Sequence, residues 1–413
     1  MSENSKLTKQ RWSTLVAACV VNLIIGTGYA WSVFAGPWAE LLQVPSATLA
    51  FTVCNAVGFI TMITGGKLND AMGPKWVIVL GGVMFGGGAF LAGFSKSLTF
   101  LIVAYGIIFG LGMGFIYSCT IGNTVKFFPD KKGMVGGLTT ASYGLGSVVL
   151  APIAQKMVAA MGVASTFKVL GIVYLVVIVV GAFVIKQCPA GFVPDGWTPP
   201  APAAGQAAPA AVDKDWKGMI KDPIFYVMFV MLVCGAFFGL MMISQCSLVA
   251  QRMIGYEVAA AATIVSVLAL CNAAGRVVCG FISDKIGAIN TMTCALILAV
   301  VGLGLVYMSG YGAGAPNAMM FVLGICFVGF CFGAYMGVFP GFTAGQFGMK
   351  NNSLNYGVMF IAFSVAGVLG PMIMANNYAK TESYSTPILI ALALSVLGLA
   401  LTFVYRAMSK AKK

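Results

Sequence analysis

The sequence contains no histidine, and only 8% of its 413 residues are charged. A soluble domain carries about 25% charged residues, so a soluble globular protein is excluded. Histidine is a common catalytic base and metal ligand, and the few acidic residues of this chain are scattered. These absences disfavour a membrane enzyme, because no nucleophile–base pair or ligand set can be assembled from the sequence. We therefore expect no catalytic residue, no metal site and no cofactor.

Cysteine does not form a recognisable pattern either. The chain has 11 cysteines, but no C-x-x-C pair occurs, and nearly all of the cysteines lie in apolar stretches. A disulfide framework or a zinc site is therefore not expected. The cysteines are predicted to be small packing residues.

Long apolar stretches are the main feature that is present. Hydrophobic residues make up 60% of the chain, and the mean hydropathy is +0.95. A stretch of about 18 apolar residues is long enough to span a membrane as a helix. The sequence predicts an all-α membrane protein with twelve transmembrane helices, at about residues 12–34, 46–66, 76–94, 98–124, 134–159, 165–186, 224–250, 257–279, 288–309, 316–340, 352–376 and 386–406.

The sixth and seventh predicted helices are separated by a polar, Pro- and Ala-rich segment. It has no apolar period, which is typical of a linker. The predicted organisation is an N-terminal six-helix bundle over residues 1–186, a linker over 187–222, and a C-terminal six-helix bundle over 223–413. The linker is too short for a catalytic domain, and the chain leaves no room for the soluble domain of a sensor.

The net charge of +13 comes from short loops and not from a soluble basic surface, so we do not expect nucleic-acid binding. If both termini lie on one side of the membrane, 18 of the 24 Lys and Arg residues lie on that side and 5 on the other. Positive residues favour the cytoplasmic side. We therefore expect a multi-pass protein of the inner (plasma) membrane with both termini and the linker in the cytoplasm.

Arg276 is the only charged residue between Val258 and Ser283. An arginine at that depth costs at least roughly 2.5–3.5 kcal/mol on insertion scales, and its planar fork of donors matches a carboxylate. We predict that Arg276 binds an anionic substrate; the alternative is a packing arginine paired with a carboxylate or with backbone carbonyls. Asn272 lies one turn earlier on the same face. It is predicted either to bind the substrate or to make a helix–helix hydrogen bond.

The two halves of the sequence resemble each other. GGKLNDAMGPK follows the second predicted helix and GFISDKIGA follows the eighth, which places Asp70 and Asp284 in equivalent loops. Pro152 and Pro371 are equivalent in the same way in the fifth and eleventh helices. Two parallel six-helix repeats are typical of a transporter whose halves rock around a site near the membrane midplane.

Four motifs carry a resemblance to a known family. GKLNDAMGPK, from Gly66 to Lys75, resembles the loop signature of the major facilitator superfamily. KFFPDKKG (Lys126–Gly133), ASYGLG (Ala141–Gly146) and GTGYAWSVF (Gly26–Phe34) resemble the monocarboxylate transporter and oxalate/formate antiporter branch. The resemblance implies the major facilitator fold and alternating-access transport of a small organic anion.

The same resemblance bears on substrate charge. In the oxalate exchangers an N-Y-G is followed by five residues and then a lysine, and here Phe363 stands at the position of that lysine. One arginine balances one carboxylate, and an uncompensated second charge would cost several kcal/mol in a low-dielectric site. The sequence therefore favours a small monocarboxylate such as lactate or pyruvate. An oxalate/formate-type exchanger is the alternative, and formate or another monoanion stays open.

Aromatic residues on helices that line the family's cavity are candidate walls of the site. These are Tyr29, Tyr117, Tyr335, Phe360 and Phe363. Each of them alone is also compatible with packing or with an interfacial belt. As a set they favour a pocket, because small-molecule pockets are mostly apolar with a few directed polar groups.

Asp70 and Asp284 are predicted gating residues. A carboxylate near the N-terminus of another helix is stabilised by roughly 0.3–2 kcal/mol, and the resemblance implies that this contact closes the cytoplasmic side. The alternative is a turn-forming aspartate. Animal monocarboxylate transporters have an acidic residue where this chain has Asn272, so a protein carboxylate is not expected to carry a proton there. We expect a proton to cross with the substrate carboxylate, with Glu257 as the alternative carrier.

Overall fold

The computed structural model describes residues 3–44, 47–198, 213–312 and 314–411, and this part of the chain is helical without strands. Within it, eleven helices are long and apolar enough to span a membrane. The longest, Lys132–Val184, contains Gly162 with φ 76° and ψ 163°, which is not helical. Gly162 therefore divides this helix into two spans. The described residues thus contain the twelve spans that the sequence predicts.

The first six spans are formed by α1 to α7 and two irregular segments. Their bounds are α1 (Glu3–Ile25), a 3₁₀ turn (Gly26–Ala30), α2 (Trp31–Leu41), α3 (Thr48–Met72), α4 (Pro74–Ala92), α5 (Leu98–Leu101), a π segment (Ile102–Phe109), α6 (Gly110–Phe127) and α7 (Lys132–Val184). The 3₁₀ turn, which contains Tyr29, interrupts the first span. The sequence predicts a loop between the fifth and sixth spans. In the structure, Gly162 is the residue with non-helical φ and ψ between these two spans.

The remaining six spans follow a short helix at the end of the linker. Their bounds are α8 (Trp216–Ile220), α9 (Pro223–Val249), a π segment (Ala250–Ile254), α10 (Val258–Ile286), α11 (Ala288–Tyr311), α12 (Ala318–Phe347), α13 (Asn352–Met359), α14 (Ile361–Thr381) and α15 (Ser385–Ala411). Phe360 separates α13 from α14, so the eleventh span is broken. The predicted linker boundaries stay a prediction, and residues 199–212 of the linker lie outside the described residues.

We call the side of the bundle that carries both termini the terminal side. Several helices extend beyond the predicted spans on this side; α1 begins at Glu3, and the prediction began it at residue 12. Hydropathy marks only the part of a helix that crosses the apolar layer, whereas the backbone hydrogen bonds continue into the polar interface.

The two halves meet closely at two helix crossings. Where α3 crosses α13, a Cβ added to Gly66 would lie 2.6 Å from the carbonyl oxygen of Ser353. Where α10 crosses α7, a Cβ added to Gly280 would lie 2.4 Å from the carbonyl oxygen of Gly133. Only glycine permits such backbone approaches. Both crossings lie toward the terminal side, and Arg276 lies one turn deeper than Gly280.

Candidate functional site

Arg276 lies at the interface between the halves and is only 2% exposed. Its Nε donates a hydrogen bond to Oδ1 of Asn272 at 3.0 Å, one turn earlier in α10. Its Nη1 donates to the backbone carbonyl of Thr140 in α7 at 2.6 Å. Asn272 therefore fixes the plane of the guanidinium, and Thr140 ties it to the opposite half.

No carboxylate balances this cation among the described residues. The ion pairs found there are Arg11–Asp130, Lys126–Asp70 and Lys214–Asp222. The described hydrogen-bond partners of the Arg276 guanidinium, which are the Asn272 amide oxygen, the Thr140 carbonyl and the Tyr117 hydroxyl, are all neutral. A buried charge without a counter-charge is costly, so an anion that enters this interface would be stabilised beside Arg276.

A continuous set of aromatic rings crosses from one half to the other. We call it the aromatic cluster, and its members are Tyr29, Tyr117, Tyr143, Tyr356, Phe360 and Phe363. The ring of Tyr143 lies 4.9 Å from both Tyr29 and Tyr117, between centroids. The contact that joins the halves is Tyr117 with Phe360 at 5.8 Å. Phe360 also lies 5.7 Å from Tyr356 and stacks on Phe363 at 4.5 Å.

The aromatic cluster adjoins the guanidinium. Tyr29, Tyr117 and Tyr356 lie within electrostatic range of Arg276, and the Tyr117 hydroxyl is a polar neighbour of the guanidinium. A Cβ added to Gly144 of α7 would lie 3.5 Å from Cζ of Arg276, so this side is open only to a small residue. The arrangement is one fixed cation beside aromatic walls with hydroxyl groups, which suits a small anion with an apolar part.

The structure brings together six of the seven residues that the sequence predicts for the site: Arg276, Asn272, Tyr29, Tyr117, Phe360 and Phe363. Tyr335 lies elsewhere. Its fully buried ring packs against Gly235 of α9, where an added Cβ would be 2.2 Å from the ring, and it stacks on Phe339 at 5.7 Å. These contacts lie within the C-terminal half. A binding role for Tyr335 stays a prediction.

Three residues of the site are absent from the sequence prediction. Tyr143 and Tyr356 both lie in the motifs that carry the family resemblance, ASYGLG and N-Y-G. Their location in these motifs could have predicted both residues, because the motifs lie on helices that face the other half. Thr140 offers no such signal, since it contributes a backbone carbonyl that every residue has.

The two predicted gating residues each contact a helix start in the opposite half. Asp70, near the end of α3, accepts a hydrogen bond from the backbone N–H of Leu354 in α13 at 3.0 Å and pairs with Lys126. Asp284, near the end of α10, accepts from the N–H groups of Gly133 at 2.7 Å and Met134 at 2.8 Å. Each carboxylate therefore joins the halves at the terminal side.

The other candidate proton carrier is remote from these contacts. Glu257 is exposed at the start of α10, at the end of the helix opposite to Asp284. Arg276 lies between these two ends. Glu257 therefore does not belong to the group of residues around the guanidinium. Its role in proton transfer stays a prediction.

Comparison with known proteins shows the family of the chain. The profile of the Major Facilitator Superfamily matches residues 16–371 and 247–413. The chain belongs to this superfamily. It is 31% identical to the uncharacterized MFS-type transporter YhjX of Escherichia coli (strain K12), over 88% of the chain and 87% of that relative. The chain is therefore a multi-pass membrane transporter by family.

Two further relatives have names that state a substrate. The oxalate:formate antiporter of Oxalobacter formigenes is 28% identical over 100% of the chain and 95% of its own length. Monocarboxylate transporter 12 of Rattus norvegicus is 25% identical, over 79% of the chain and 70% of its own length. These similarities confirm the resemblance to this branch of the superfamily.

Solved structures confirm the fold. FucP in the outward conformation superposes with a TM-score of 0.69 at 14% identity, covering 95% of this chain and 98% of that chain. The proton:xylose symporter XylE gives a TM-score of 0.68 at 12% identity, covering 96% and 95%. At such identities the likeness concerns the fold alone. The predicted major facilitator fold is thus confirmed.

Proposed function

We propose that this protein is a secondary active transporter of small monocarboxylates of the lactate and pyruvate type, coupled to a proton. The observation that carries the proposal is the buried Arg276 at the interface of the halves, whose described partners are neutral. A carboxylate supplies the missing negative charge and fits the planar fork.

The geometry leaves donors for that carboxylate. Nε is used by Asn272, and one of the two N–H groups of Nη1 is used by Thr140. The Tyr117 hydroxyl is a further hydrogen-bond partner of the guanidinium, and the N–H groups of Nη1 and Nη2 that remain are available to a carboxylate. Asn272 acts as a positioning residue in this arrangement, because a guanidinium that is held by Nε presents its other nitrogen atoms in a fixed plane.

The walls favour a single negative charge. Phe363 stacks on Phe360 at 4.5 Å, at the position where the oxalate exchangers carry a lysine. One cation thus serves the pocket, and a monocarboxylate with a small apolar part matches both the charge and the aromatic surface. A dicarboxylate would bring a second charge into the same apolar wall.

The two contacts at the terminal side support a mechanism of alternating access. Asp70 and Asp284 join the halves at that side. We interpret this arrangement as an outward-facing state of a plasma-membrane protein whose termini lie in the cytoplasm. Opening toward the cytoplasm requires both contacts to break. We propose that the proton crosses with the substrate carboxylate, with Glu257 as the second option.

A second candidate function is exchange of organic anions of the oxalate/formate type. The similarity to the oxalate:formate antiporter over the entire chain supports it. The replacement of the lysine by Phe363 favours monoanions in this mechanism too, so formate is the member of that pair that fits better.

Transport in proteoliposomes distinguishes these functions. Uptake of radiolabelled lactate, pyruvate, formate and oxalate is measured with and without an inward proton gradient, and with and without unlabelled anion inside. We expect lactate or pyruvate uptake that the gradient accelerates and that needs no internal anion. Uptake that requires internal anion and ignores the gradient supports exchange. Preference for oxalate over the monoanions would refute the one-cation argument.

A further inference from the structure

A cavity that does not include Arg276 lies at the terminal-side end of the N-terminal half. Its volume is about 260 Å³, and it lies where α3 ends, α4 begins and α7 ends. Its lining includes Gly73, Lys75, Trp76, Phe183, Lys186 and Gln187. It is distinct from the transport site, because none of these residues belongs to the aromatic cluster or contacts Arg276 among the described interactions.

The cavity carries two positive charges. Nζ of Lys75 lies 4.2 Å from the ring centroid of Phe183 and 5.1 Å from that of Trp76. Lys186 is exposed at the rim. In the described residues, neither lysine belongs to an ion pair, and the first turn of α4 contains no acidic residue and no side-chain cap. The charge chemistry therefore suits a phosphate group.

The cavity lies at the level where the apolar layer meets the headgroups. Pro74 begins α4, and Val184 ends α7. Trp76 is 61% exposed, and tryptophan concentrates at this level of membrane proteins. Basic pockets between helices at the cytoplasmic interface bind anionic lipid headgroups.

An apolar seam continues from the cavity toward the membrane centre. Helices α4 and α7 pack closely, since a Cβ added to Gly82 would lie 2.8 Å from the side chain of Ile178. Beside this contact, Leu80 and Val83 of α4 are exposed, as is Val180 of α7. Such a seam accommodates an acyl chain below a headgroup held at the two lysines.

The C-terminal half fills the corresponding place with its own side chains. There Nη2 of Arg406 in α15 donates to Oδ1 of Asn290 at 3.0 Å and to Oγ1 of Thr293 at 2.9 Å, both in α11. Two side chains of α11 thus hold the cation at the end of the last helix. In the N-terminal half the two lysines face an open cavity.

We propose that this cavity binds the phosphate headgroup of an anionic phospholipid, with Lys75 and Lys186 as its charged contacts and the α4–α7 seam as the path of an acyl chain. The inference rests on the fold and on these contacts, and it does not depend on which substrate Arg276 binds. A soluble organophosphate carries the same phosphate charge but has no acyl chain that could lie in the seam.

The test is lipid binding to the purified protein in a neutral detergent, measured by native mass spectrometry. Phosphatidylglycerol and phosphatidylcholine are titrated against the parent, against K75Q/K186Q, and against K217Q/K285Q. The last variant removes two charges from the same side, one at the end of the linker and one in the C-terminal half, and is the matched control. We expect K75Q/K186Q to bind phosphatidylglycerol about tenfold or more weakly, since each basic residue near a lipid surface contributes roughly fivefold.

Each other outcome is also decisive. Binding by K75R/K186R at the parental level supports the site, because it keeps both charges. Equal losses in the two Gln variants would indicate diffuse attraction and overturn the proposal. Equal binding of both lipids by the parent overturns it without any variant, so a folding defect does not leave the question open. Displacement of phosphatidylglycerol by equimolar glycerol 3-phosphate would overturn the lipid proposal and identify a soluble phosphate compound as the ligand of the cavity.

Discussion

The crossing of α3 with α13 and the crossing of α10 with α7 are built alike. Each has an aspartate that accepts from an N-terminal amide of the opposite helix, Asp70 or Asp284. Each then has a deeper backbone contact to a glycine. A Cβ added to Gly357 would lie 2.8 Å from the carbonyl oxygen of Met62, and one added to Gly137 would lie 2.2 Å from that of Arg276.

The difference between the crossings is the side chain at that deeper contact. Met62 stands eight residues before Asp70, and Arg276 stands eight residues before Asp284. Both are buried, at 3% and 2% exposure. The crossing can therefore be packed with an apolar side chain at this position. This argues that the charge of Arg276 serves a ligand and not the packing of the helices.

The largest effect is expected when this difference is removed. Arg276→Gln loses the charge, and we expect the dissociation constant for lactate or pyruvate to rise about hundredfold or more, because a buried charge pair loses one partner. Arg276→Lys keeps the charge without the fork and should cost at least about tenfold. Isothermal titration of the purified variants measures both.

Met62→Leu is the matched control for this experiment. It changes the equivalent position of the other crossing and should leave the substrate affinity within about twofold, since the volume is nearly conserved. Near-parental affinity of either Arg276 variant would show that the arginine is not the substrate receptor.

An intermediate effect is expected when the aspartates are changed. Asp70→Asn leaves the half-buried Lys126 without its carboxylate, whereas Asp284 has only backbone donors among its described hydrogen bonds. We expect Asp70→Asn to slow uptake about tenfold, in line with a charge-assisted bond, and Asp284→Asn to slow it less. The substrate dissociation constant should stay measurable in both, because neither aspartate touches the site.

The double variant D70N/K126Q separates the two contributions of Asp70. It removes the orphaned charge, so its uptake rate should approach that of Asp284→Asn. An unchanged uptake rate in Asp70→Asn would show that Asp70 is a turn-forming residue without a gating role.

The smallest effect is expected at the wall of the pocket. Phe363→Lys adds a second cation and removes part of the stacked pair with Phe360. Lactate uptake should fall several-fold, and oxalate or another short dicarboxylate should begin to compete, because its second charge is then balanced. Competition assays with a dicarboxylate series measure this. Phe363→Leu is the control for loss of the ring, and equal dicarboxylate binding by the parent would contradict the prediction.

The elements that the sequence predicted correctly depend on local information. Twelve spans follow from hydropathy. The contacts of Asp70 and Asp284 with the start of another helix follow from the internal repeat and the family resemblance, and their gating role stays a prediction. The helix limits were less accurate at α1 and at Gly162, because a helix continues past the apolar layer and because a single glycine with positive φ reverses the chain.

Part of the site could also be predicted from local sequence information. Arg276 is conspicuous in sequence, since no other charge lies near it in its span. The contact of Tyr117 with Phe360 joins residues that are far apart in the chain, and no local pattern specifies it. Tyr335 shows the converse. It lies in a glycine-rich stretch, GFCFGAYMG, that resembles GLGMGFIYS around Tyr117, but its ring packs inside one half.

The sequence by itself determined that this chain spans the membrane twelve times in two related halves and carries one arginine within the apolar layer. Hydropathy, repeat spacing and the cost of a buried charge are properties of neighbouring residues. Only the tertiary structure decided that Asn272 and the carbonyl of Thr140 hold that arginine, that six aromatic rings meet beside it, and that Lys75 and Lys186 share a cavity. These arrangements depend on which helices cross and how closely their glycines let them approach, and that is settled only when the two halves pack together.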